Sequence, residues 1–416
     1  MKKFIVIFSL AIAPSAVNAT NGINLIGFGA ESTFMAGADT AVARDTSALN
    51  TNPAGLTQIM GKRLDIYGSL LRTTDLSHQD QFGNNKHASN LYTVLGGMGY
   101  AQSLDNTPCT AGVGFFAQGG SGGIFENLNT AFNTQDEFSA LFAIAKFTGG
   151  LGCKVNDNWS IGSSFGLVYA QAQQKVFPKT STPTFAGLEL EDASSLRTSF
   201  KFGTQYQVTP SLKLAASYTE KTKLPLTGGQ LKLNMSAVAL GTVTYHDVKV
   251  DGLALPREIA LGAAYQLNND LLLAVKLNWL NWADAMQKNT LTASQPDNAS
   301  LANINSTSAM NWHNQWVIAT GTAYRYDDKT MLYAGYNYGK NPIPAAHTTP
   351  LMAGIFEHHV TFGASYKYTP EWTIYSGLEY DARKKVDYTN PELPFGNNAQ
   401  LRNEAVWFHF MVSKQW

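Results

Sequence analysis

Charged side chains, cysteines and long apolar runs are all scarce in this chain of 416 residues, which has only two cysteines. Only 14% of its residues are charged, against roughly 25% in typical soluble domains, and 30 basic residues balance 30 acidic ones. This neutrality gives no electrostatic reason to expect nucleic acid as a partner. Beyond the first 13 residues, no stretch reaches the roughly 18 uninterrupted apolar residues that a membrane-spanning helix needs. The composition therefore disfavours both a nucleic-acid-binding protein and a helical membrane protein.

The first residues have the composition of a secretory signal. Lys2 and Lys3 precede an apolar run over residues 4–13, and the sequence VNA at residues 17–19 has the spacing that signal peptidase recognises. The run is too short to span a membrane as a helix. We therefore predict a signal peptide over residues 1–19 and export across the inner membrane.

The connections along the rest of the chain alternate between tight polar turns and long loops. The tight turns lie at residues 105–108, 156–158, 209–211, 268–270, 327–329 and 369–371. The long loops lie near residues 76–89, 119–137, 175–193, 225–254, 285–311, 341–355 and 387–400. Outer-membrane barrels have short periplasmic turns and long extracellular loops, because only a closed sheet satisfies every backbone group in hydrocarbon. We predict an all-β fold, a 14-stranded antiparallel transmembrane β-barrel over residues 63–416 in the outer membrane.

Alternation within the segments supports a barrel. Large apolar residues alternate with small or polar ones, which places the two kinds on opposite faces of a strand. In one segment the apolar set is Ile161, Phe165, Leu167 and Tyr169, and the other set is Ser160, Gly162, Ser164 and Gly166. Aromatic residues at strand ends fit the girdles of such barrels. They include Trp159, Trp279, Trp282, Trp312, Trp372 and Tyr380.

Residues 20–62 are rich in Gly, Ala and Thr and contain no amphipathic strand of useful length. The sequence GADTA at residues 37–41, followed by Asn52, Pro53, Ala54 and Gly55, resembles the N-terminal hatch of the outer-membrane long-chain fatty-acid transporter family of the FadL type, which includes toluene channels. Residues 112–119, 333–338 and 359–366 resemble the third, eleventh and twelfth strands of that family.

The resemblance implies that residues 20–62 plug the barrel as a hatch, and that a hydrophobic solute captured outside is released sideways through the wall. In the family the gap lies at an inward kink of the third strand. The residues at that place are Gln118, Gly119, Gly120, Gly122 and Gly123. Glycines weaken strand pairing and permit bulges, which favours an opening there. The alternative for this run is a flexible extracellular loop.

Both cations and aromatic residues are candidates for contact with the solute. Strand phase directs Arg197 and Lys201 inward, where either could pair with a carboxylate head group, and Arg325 is a third such cation. The alternative is a structural salt bridge with an acid such as Glu379 or Asp381. The apolar candidates, with ordinary packing or lipid contact as their alternative, are Phe28, Phe34, Phe115 and Phe116.

Apolar residues after the kink are spaced like one face of a short helix. They are Ile124, Phe125, Leu128 and Phe132. In the family that the chain resembles, helices in this loop form an extracellular capture groove, so we expect a capture loop here.

The two cysteines, Cys109 and Cys153, begin the third strand and end the fourth. Both therefore lie near the periplasmic rim on neighbouring strands. An oxidising periplasm permits a disulfide, but the cross-strand geometry is demanding, so a bonded and a free pair both remain open.

These features predict a passive channel for long-chain fatty acids or related hydrophobic compounds, with a channel for monoaromatic hydrocarbons or a general porin as alternatives. A general porin should lack a lumen plug. We predict no enzyme activity, cofactor or metal site, and we interpret His359 as a hydrogen-bonding residue of the lumen. The predicted partners are the hydrophobic solute and outer-membrane lipid, including lipopolysaccharide, with no nucleic acid and a monomeric state.

Overall fold

Fourteen antiparallel strands form a closed barrel in the computed structural model, which describes residues 21–395 and 397–416. The strands are β1 Lys62–Thr73, β2 Tyr92–Ser103, β3 Cys109–Asn129, β4 Gln135–Lys154, β5 Trp159–Thr182, β6 Phe185–Thr209, β7 Leu212–Thr219, β8 Glu258–Gln266, β9 Leu271–Leu280, β10 Gln315–Arg325, β11 Thr330–Gly339, β12 His358–Lys367, β13 Trp372–Tyr388 and β14 Ala399–Gln415. Each strand pairs with the next, and β14 closes the sheet on β1, with Gln415 opposite Arg63. The predicted fold class and strand number are confirmed. The predicted signal peptide lies outside the described residues.

Strand residues alternate between an apolar outer face and an inner face of small and polar side chains. On β5, Ile161 and Phe165 are 44% and 46% exposed, whereas Ser164 is buried. On β14, exposed Phe408 precedes buried His409. Large apolar side chains on the outside are stable only when lipid covers them, which is the arrangement of an outer-membrane barrel.

The two ends of the barrel differ. Short turns at residues 104–108, 155–158, 210–211, 267–270, 326–329 and 368–371 lie at one end, in agreement with the predicted turns, and they define the periplasmic side. The other end carries the short strands Ser77–Gln79, Asn85–His87, Thr222–Lys223, Leu226–Thr227, Gln230–Asn234, Thr242–Asp251, Ala254–Leu255, Lys288–Pro296 and Ile304–Ala309, the α-helix Trp282–Ala285 and the 3-10 helices Ser236–Val238 and Ala345–His347. Within the described part of the chain, no helix has both the length and the apolar character needed to cross a bilayer.

Two of the predicted loops are instead extensions of the sheet. Strands β3 and β4 continue across residues 119–137 with a turn only at residues 130–134, and β5 and β6 continue across residues 175–193. Strand β5 has 24 residues, about twice the 9–11 that cross a bilayer. These hairpins therefore build a wall that extends beyond the membrane on the extracellular side.

Residues 21–61, called the hatch below, lie inside the barrel and are mostly buried. The hatch contains the α-helix Gly29–Phe34 and the 3-10 helices Thr46–Leu49 and Pro53–Gln58. Its α-helix packs on β12 and β13, where a Cβ at Gly363 or Gly377 would lie 2.2 or 2.3 Å from the ring of Phe34. On another side, Pro53 packs on β5 and β6. These contacts with well-separated strands place the hatch across the lumen.

Asn52 holds the hatch motif against the wall. Its Nδ2 donates to the carbonyl oxygen of Thr204 on β6 at 3.2 Å, and its Oδ1 accepts from the N–H of Ala54 at 3.2 Å. Pro53 begins the next 3-10 helix, where a missing N–H costs no hydrogen bond. At Gly55 a Cβ would lie 1.9 Å from another hatch carbonyl oxygen. Hydrogen bonding by Asn52, the helix start at Pro53 and close packing at Gly55 thus explain why these residue types occur in the motif.

Candidate functional site: a lumen pocket and a break in the wall

Strand β3 is irregular at its glycine-rich run. Its pairing with β4 shifts by one residue just before Gly119, which marks a β-bulge. Gly119 and Gly120 have φ angles of 151° and 150°, which L side chains rarely adopt. A Cβ at Gly120 would also lie 2.1 Å from the carbonyl oxygen of Phe142. The pairing with β4 continues from Gly119 to Gly123, so the run is a bent strand and not a flexible loop.

A break in the wall lies on the β2 side of this bend. The pairing of β2 with β3 ends at Gly97 opposite Phe116, although β2 continues beyond Gly97 in its pairing with β1. Farther out, Ile124 donates its N–H to Oδ1 of Asn90 at 2.8 Å and closes the wall again. Among the described residues, no strand pairs with residues 117–123 on this side.

The first residues of the hatch reach the break. The N–H of Gly120 donates to the carbonyl oxygen of Ile23 at 3.0 Å, and Asn24 forms a β-bridge with Gly119. A Cβ at Gly119 would lie 2.0 Å from the Ile23 oxygen, so this approach requires glycine. Oε1 of Gln118 also accepts from a hatch amide at 3.1 Å. The hatch and the bent strand are therefore joined at the break.

A pocket lies in the lumen on the extracellular side of the hatch. Its lining includes Gln118 beside the break and three lysines from different strands, Lys146 on β4, Lys201 on β6 and Lys276 on β9. The pocket therefore extends from the break across the lumen, and both polar and apolar side chains line it.

Two of the three pocket lysines have acidic partners. Nζ of Lys276 lies 3.1 Å from Oδ1 of Asp39, and Nζ of Lys201 lies 3.8 Å from Oε2 of Glu258. Lys146 is 3% exposed, and its Nζ donates to a hatch amide oxygen at 3.1 Å. No carboxylate of residues 21–395 or 397–416 lies within 4.0 Å of this nitrogen. Lys146 thus has a buried amine without an adjacent carboxylate.

A charged contact joins the two ends of the extracellular loop at residues 220–257. Arg257 donates to Glu220 at 2.8 Å, and the hydroxyl of Tyr218 donates to the same carboxylate. The hydrogen bond from Arg257, followed by that from Tyr218, lowers the pKa of Glu220 to about 2. Glu220, which also lines the lumen pocket, is therefore ionised at neutral pH.

A second cavity lies between the hatch and the wall beside the break. Leu95 of β2 and Ala117 of β3, from the two sides of the break, line it together with Phe28. Phe28 also lines the lumen pocket, so the two spaces adjoin. The lining is mainly apolar, with Glu379 and His409 among its polar members.

The four aromatic candidates have different positions. Phe116 is buried and packs edge to face with Phe28, with the ring centroids 6.3 Å apart. Phe34 is wholly buried between the hatch and the wall and lines neither space. Phe115 pairs opposite Phe147, which is 54% exposed on the outer face, and directly opposite residues share a face. The assignment of Phe34 and Phe115 to the pocket was therefore wrong, because one packs the hatch and the other faces outward.

Of the three cationic candidates, Lys201 alone lines the lumen pocket. Arg197 is exposed, and its guanidinium donates to the neighbouring carbonyl oxygen of Leu196. Arg325 is exposed at the periplasmic end of β10, in a vestibule on the opposite side of the hatch. Lys146 and Lys276 were not predicted from the sequence, although alternation along β4 and β9 directs both inward.

The predicted capture residues do not form a helix. Ile124, Phe125 and Leu128 belong to β3, and Phe132 lies in the turn that follows. A bulge between Phe125 and Leu128 brings both onto the buried face and imitates helical spacing. The prediction of a helix in this loop was therefore wrong.

A large apolar groove nevertheless exists on the extracellular side. It lies between the β3–β4 and β5–β6 hairpins and the later loops. Its apolar lining includes Phe142, Leu190, Trp312 and Leu351. Trp312 and Trp282 are buried on the hatch residue Gly22, so the prediction that they belong to an aromatic girdle was wrong.

Cys109 and Cys153 lie directly opposite each other on β3 and β4 and form a disulfide. The bond joins the periplasmic ends of these strands. It therefore holds β3 at the end that is remote from its bend.

Comparison of the sequence with protein families and of the structure with solved structures leads to the same family. The sequence model of the family described as outer membrane protein transport protein (OMPP1/FadL/TodX) matches residues 10–406. The structure resembles the Pseudomonas putida toluene transporter TodX, at 20% identity over 94% of this chain and 99% of that chain, with a TM-score of 0.79. It also resembles the Ralstonia pickettii toluene transporter TbuX, at 20% identity over 94% and 99%, with a TM-score of 0.76.

A FadL homologue from Pseudomonas aeruginosa is similar at 16% identity over 95% of this chain and 99% of that chain, with a TM-score of 0.76. At these identities the structural likeness shows the fold alone. A search of curated protein sequences gave no match.

Proposed function

Because this chain belongs to the OMPP1/FadL/TodX family of outer-membrane proteins that transport hydrophobic compounds, we propose that it is a passive channel for long-chain fatty acids and related hydrophobic carboxylic acids. In this proposal the solute enters the extracellular groove, moves to the lumen pocket and leaves through the break between β2 and β3.

The burial of Lys146 without an adjacent carboxylate is the observation that favours a carboxylic acid as the solute. A buried ammonium without an adjacent counter-ion is unfavourable, and a carboxylate that hydrogen-bonds to it removes that penalty. The other two pocket lysines already have acidic partners, so they are less available. The alkyl chain of the solute would then extend towards Phe28 and the apolar cavity.

The competing substrate class is monoaromatic hydrocarbons, which the names of TodX and TbuX indicate for those proteins. Toluene carries no charge and gains nothing from Lys146. It could occupy the apolar cavity beside the break, so binding measurements with both classes decide between them.

Lateral release follows from the cost of exposing an alkyl chain to water. Transfer to the aqueous periplasm costs about 0.8 kcal/mol for each CH₂ group, whereas passage through the wall keeps the chain in an apolar environment. Leu95 and Ala117 provide apolar surface at the two sides of the break. The apolar outer face is expected to contact outer-membrane lipid, including lipopolysaccharide, around a monomeric barrel.

The first experiment replaces Lys146 with methionine, which keeps the length of the side chain and removes its charge. We expect the affinity of the purified protein for palmitate to fall roughly 10- to 150-fold, the range for a hydrogen bond to a charged group. The affinity for hexadecanol should change little. The matched control is Lys154→Met, because Lys154 lies on the same strand and is exposed at its periplasmic end.

Unchanged palmitate affinity in Lys146→Met would contradict the proposal that Lys146 binds the carboxylate head group. Saturable binding of toluene with no binding of palmitate would favour the aromatic alternative.

The second experiment closes the break with a disulfide. If pairing continued past Gly97 and Phe116, Leu95 would lie opposite Gln118, so we propose the double variant Leu95→Cys and Gln118→Cys. Oxidised protein should lose fatty-acid uptake in reconstituted vesicles and regain it on reduction. The two single variants and the reduced wild type, which also loses its native disulfide, are the controls. Wild-type uptake by fully cross-linked protein would exclude this exit.

A further inference from the structure

Two carboxylates and two imidazoles meet on the inner face of the wall, in a cluster that borders the apolar cavity and to which the proposed function assigns no role. His359 on β12 lies directly opposite Asp381 on β13, and its Nδ1 is 2.6 Å from Oδ1 of Asp381. Glu379 is two residues away on the same inner face of β13. One donor atom each of His359, Glu379 and Asp381 lie within 4.8 Å of one another. Nε2 of His409 on β14 lies 3.2 Å from Oε2 of Glu379.

The orientation of these groups is fixed from outside the cluster. Nε1 of Trp407 donates to Oδ2 of Asp381 at 2.7 Å, and Oγ of Ser69 lies 2.7 Å from Nδ1 of His409. This leaves Oδ1 of Asp381 and Nε2 of His409 directed towards the other members. Metal-binding histidines and carboxylates are held in this way by hydrogen bonds from a surrounding layer.

The charge and hydrogen bonding of the cluster are incomplete as it stands. His359, Glu379 and Asp381 are all at least 97% buried. Across residues 21–395 and 397–416, no lysine or arginine forms a salt bridge with either carboxylate, and Nε2 of His359 has no hydrogen-bond partner. Two buried carboxylates without a fixed cation need a bound proton or a metal ion.

We propose that His359, Glu379 and Asp381, with His409 as the fourth group, form a binding site for a divalent transition-metal ion, with Zn²⁺ as the expected occupant. Imidazole nitrogens and carboxylate oxygens are ligands that Zn²⁺ binds in four-coordinate sites. The ion enters through the apolar cavity, which Glu379 and His409 line. It links three adjacent strands behind the hatch helix, since the rings of Phe34 and His409 are 6.3 Å apart.

The test uses full-length mature protein that is purified without a metal-affinity tag, treated with EDTA and titrated with ZnCl₂. We expect one Zn²⁺ per chain by elemental analysis. His359→Gln and Asp381→Asn should each lower the affinity by about tenfold or more. The matched control is His358→Gln, because His358 is the next residue on the strand, is exposed and contacts Tyr336 instead. This control should keep the wild-type affinity.

A spectroscopic measurement places the ion independently of these variants. Cu²⁺ that occupies the site should quench the fluorescence of Trp407, and Trp407→Phe should remove that quenching while Zn²⁺ still binds, with an affinity lower by about tenfold or more because Asp381 loses its orienting hydrogen bond. Heat-modifiable migration in gels shows whether each variant forms the barrel. The absence of stoichiometric Zn²⁺ binding in the wild type would overturn the proposal. Equal affinity in folded His359→Gln, Asp381→Asn and His358→Gln would overturn it as well.

Discussion

Phe34 and the wall glycine beneath it offer a direct measure of how firmly the hatch is seated. The ring is wholly buried, and a methyl group added at Gly363 would lie 2.2 Å from one of its carbon atoms. Phe34→Ala should destabilise the seated hatch by about 3–5 kcal/mol, because it removes the ring and leaves a cavity. Gly363→Ala should cost about 1–3 kcal/mol, because it overpacks the same contact.

The double variant separates this contact from general damage to the barrel. Without the ring, the added methyl group at position 363 meets open space, so the double variant should cost no more than Phe34→Ala alone. The expected coupling free energy is therefore about 1–3 kcal/mol. Gly149→Ala is the matched control, because a Cβ there meets its nearest atoms at 3.7 Å, an ordinary contact distance.

Hydrogen exchange of the hatch amides provides the assay. The N–H groups of Met35 and Ala36 donate to the carbonyl oxygens of Glu31 and Thr33, so their exchange reports opening of the hatch helix. Permeation of small hydrophilic sugars into vesicles gives a second reading. Strictly additive effects of the two substitutions would refute the contact between Phe34 and Gly363.

Two further predictions concern the ends of the barrel. Replacing both Cys109 and Cys153 with serine should lower the free energy of unfolding of the barrel by about 4 kcal/mol while uptake continues. This magnitude is the chain-entropy value for a sequence separation of 44 residues. Thermal unfolding followed in gels measures the loss, and an unchanged unfolding midpoint would contradict the prediction. The hydrogen bond between Glu220 and Arg257 lowers the pKa of Glu220 in the folded state, so its contribution is complete above the ordinary carboxyl range and is lost as the pH falls through about 2. Proteolysis of the loop at residues 220–257 should therefore increase only in strong acid in the wild type, and Glu220→Gln should abolish this pH dependence.

Local chemistry was enough to predict the barrel. The tight turns are built from residues whose side chains favour turn geometry, and a period of two places apolar side chains on one face. Both signals depend on near neighbours in sequence. The extracellular hairpins were harder to predict, because glycine, proline and polar residues at 119–137 and 175–193 resemble loop composition while the strands continue through them.

The site depends on contacts between distant parts of the chain, so it could be predicted only in part. Alternation along β4 directs Lys146 inward, but its lack of a counter-ion depends on where Asp39 and Glu258 lie in the fold. The spacing of Phe125 and Leu128 indicated a helix because a bulge displaces the phase of a strand by one residue. The same spacing of apolar residues can therefore come from a helix or from a bulged strand, and only the residues that pair with the segment distinguish the two.

The hydrogen bond from Gly120 to Ile23 makes the first residues of the hatch a structural part of the barrel wall. Ile23 supplies the acceptor for an N–H group at the position where β2 supplies none. A displacement of these leading residues would free that N–H group and remove the support of the bent strand in the same step. We therefore expect movement of the hatch at this point to alter the bent strand directly, without any need for a signal carried through the rest of the barrel.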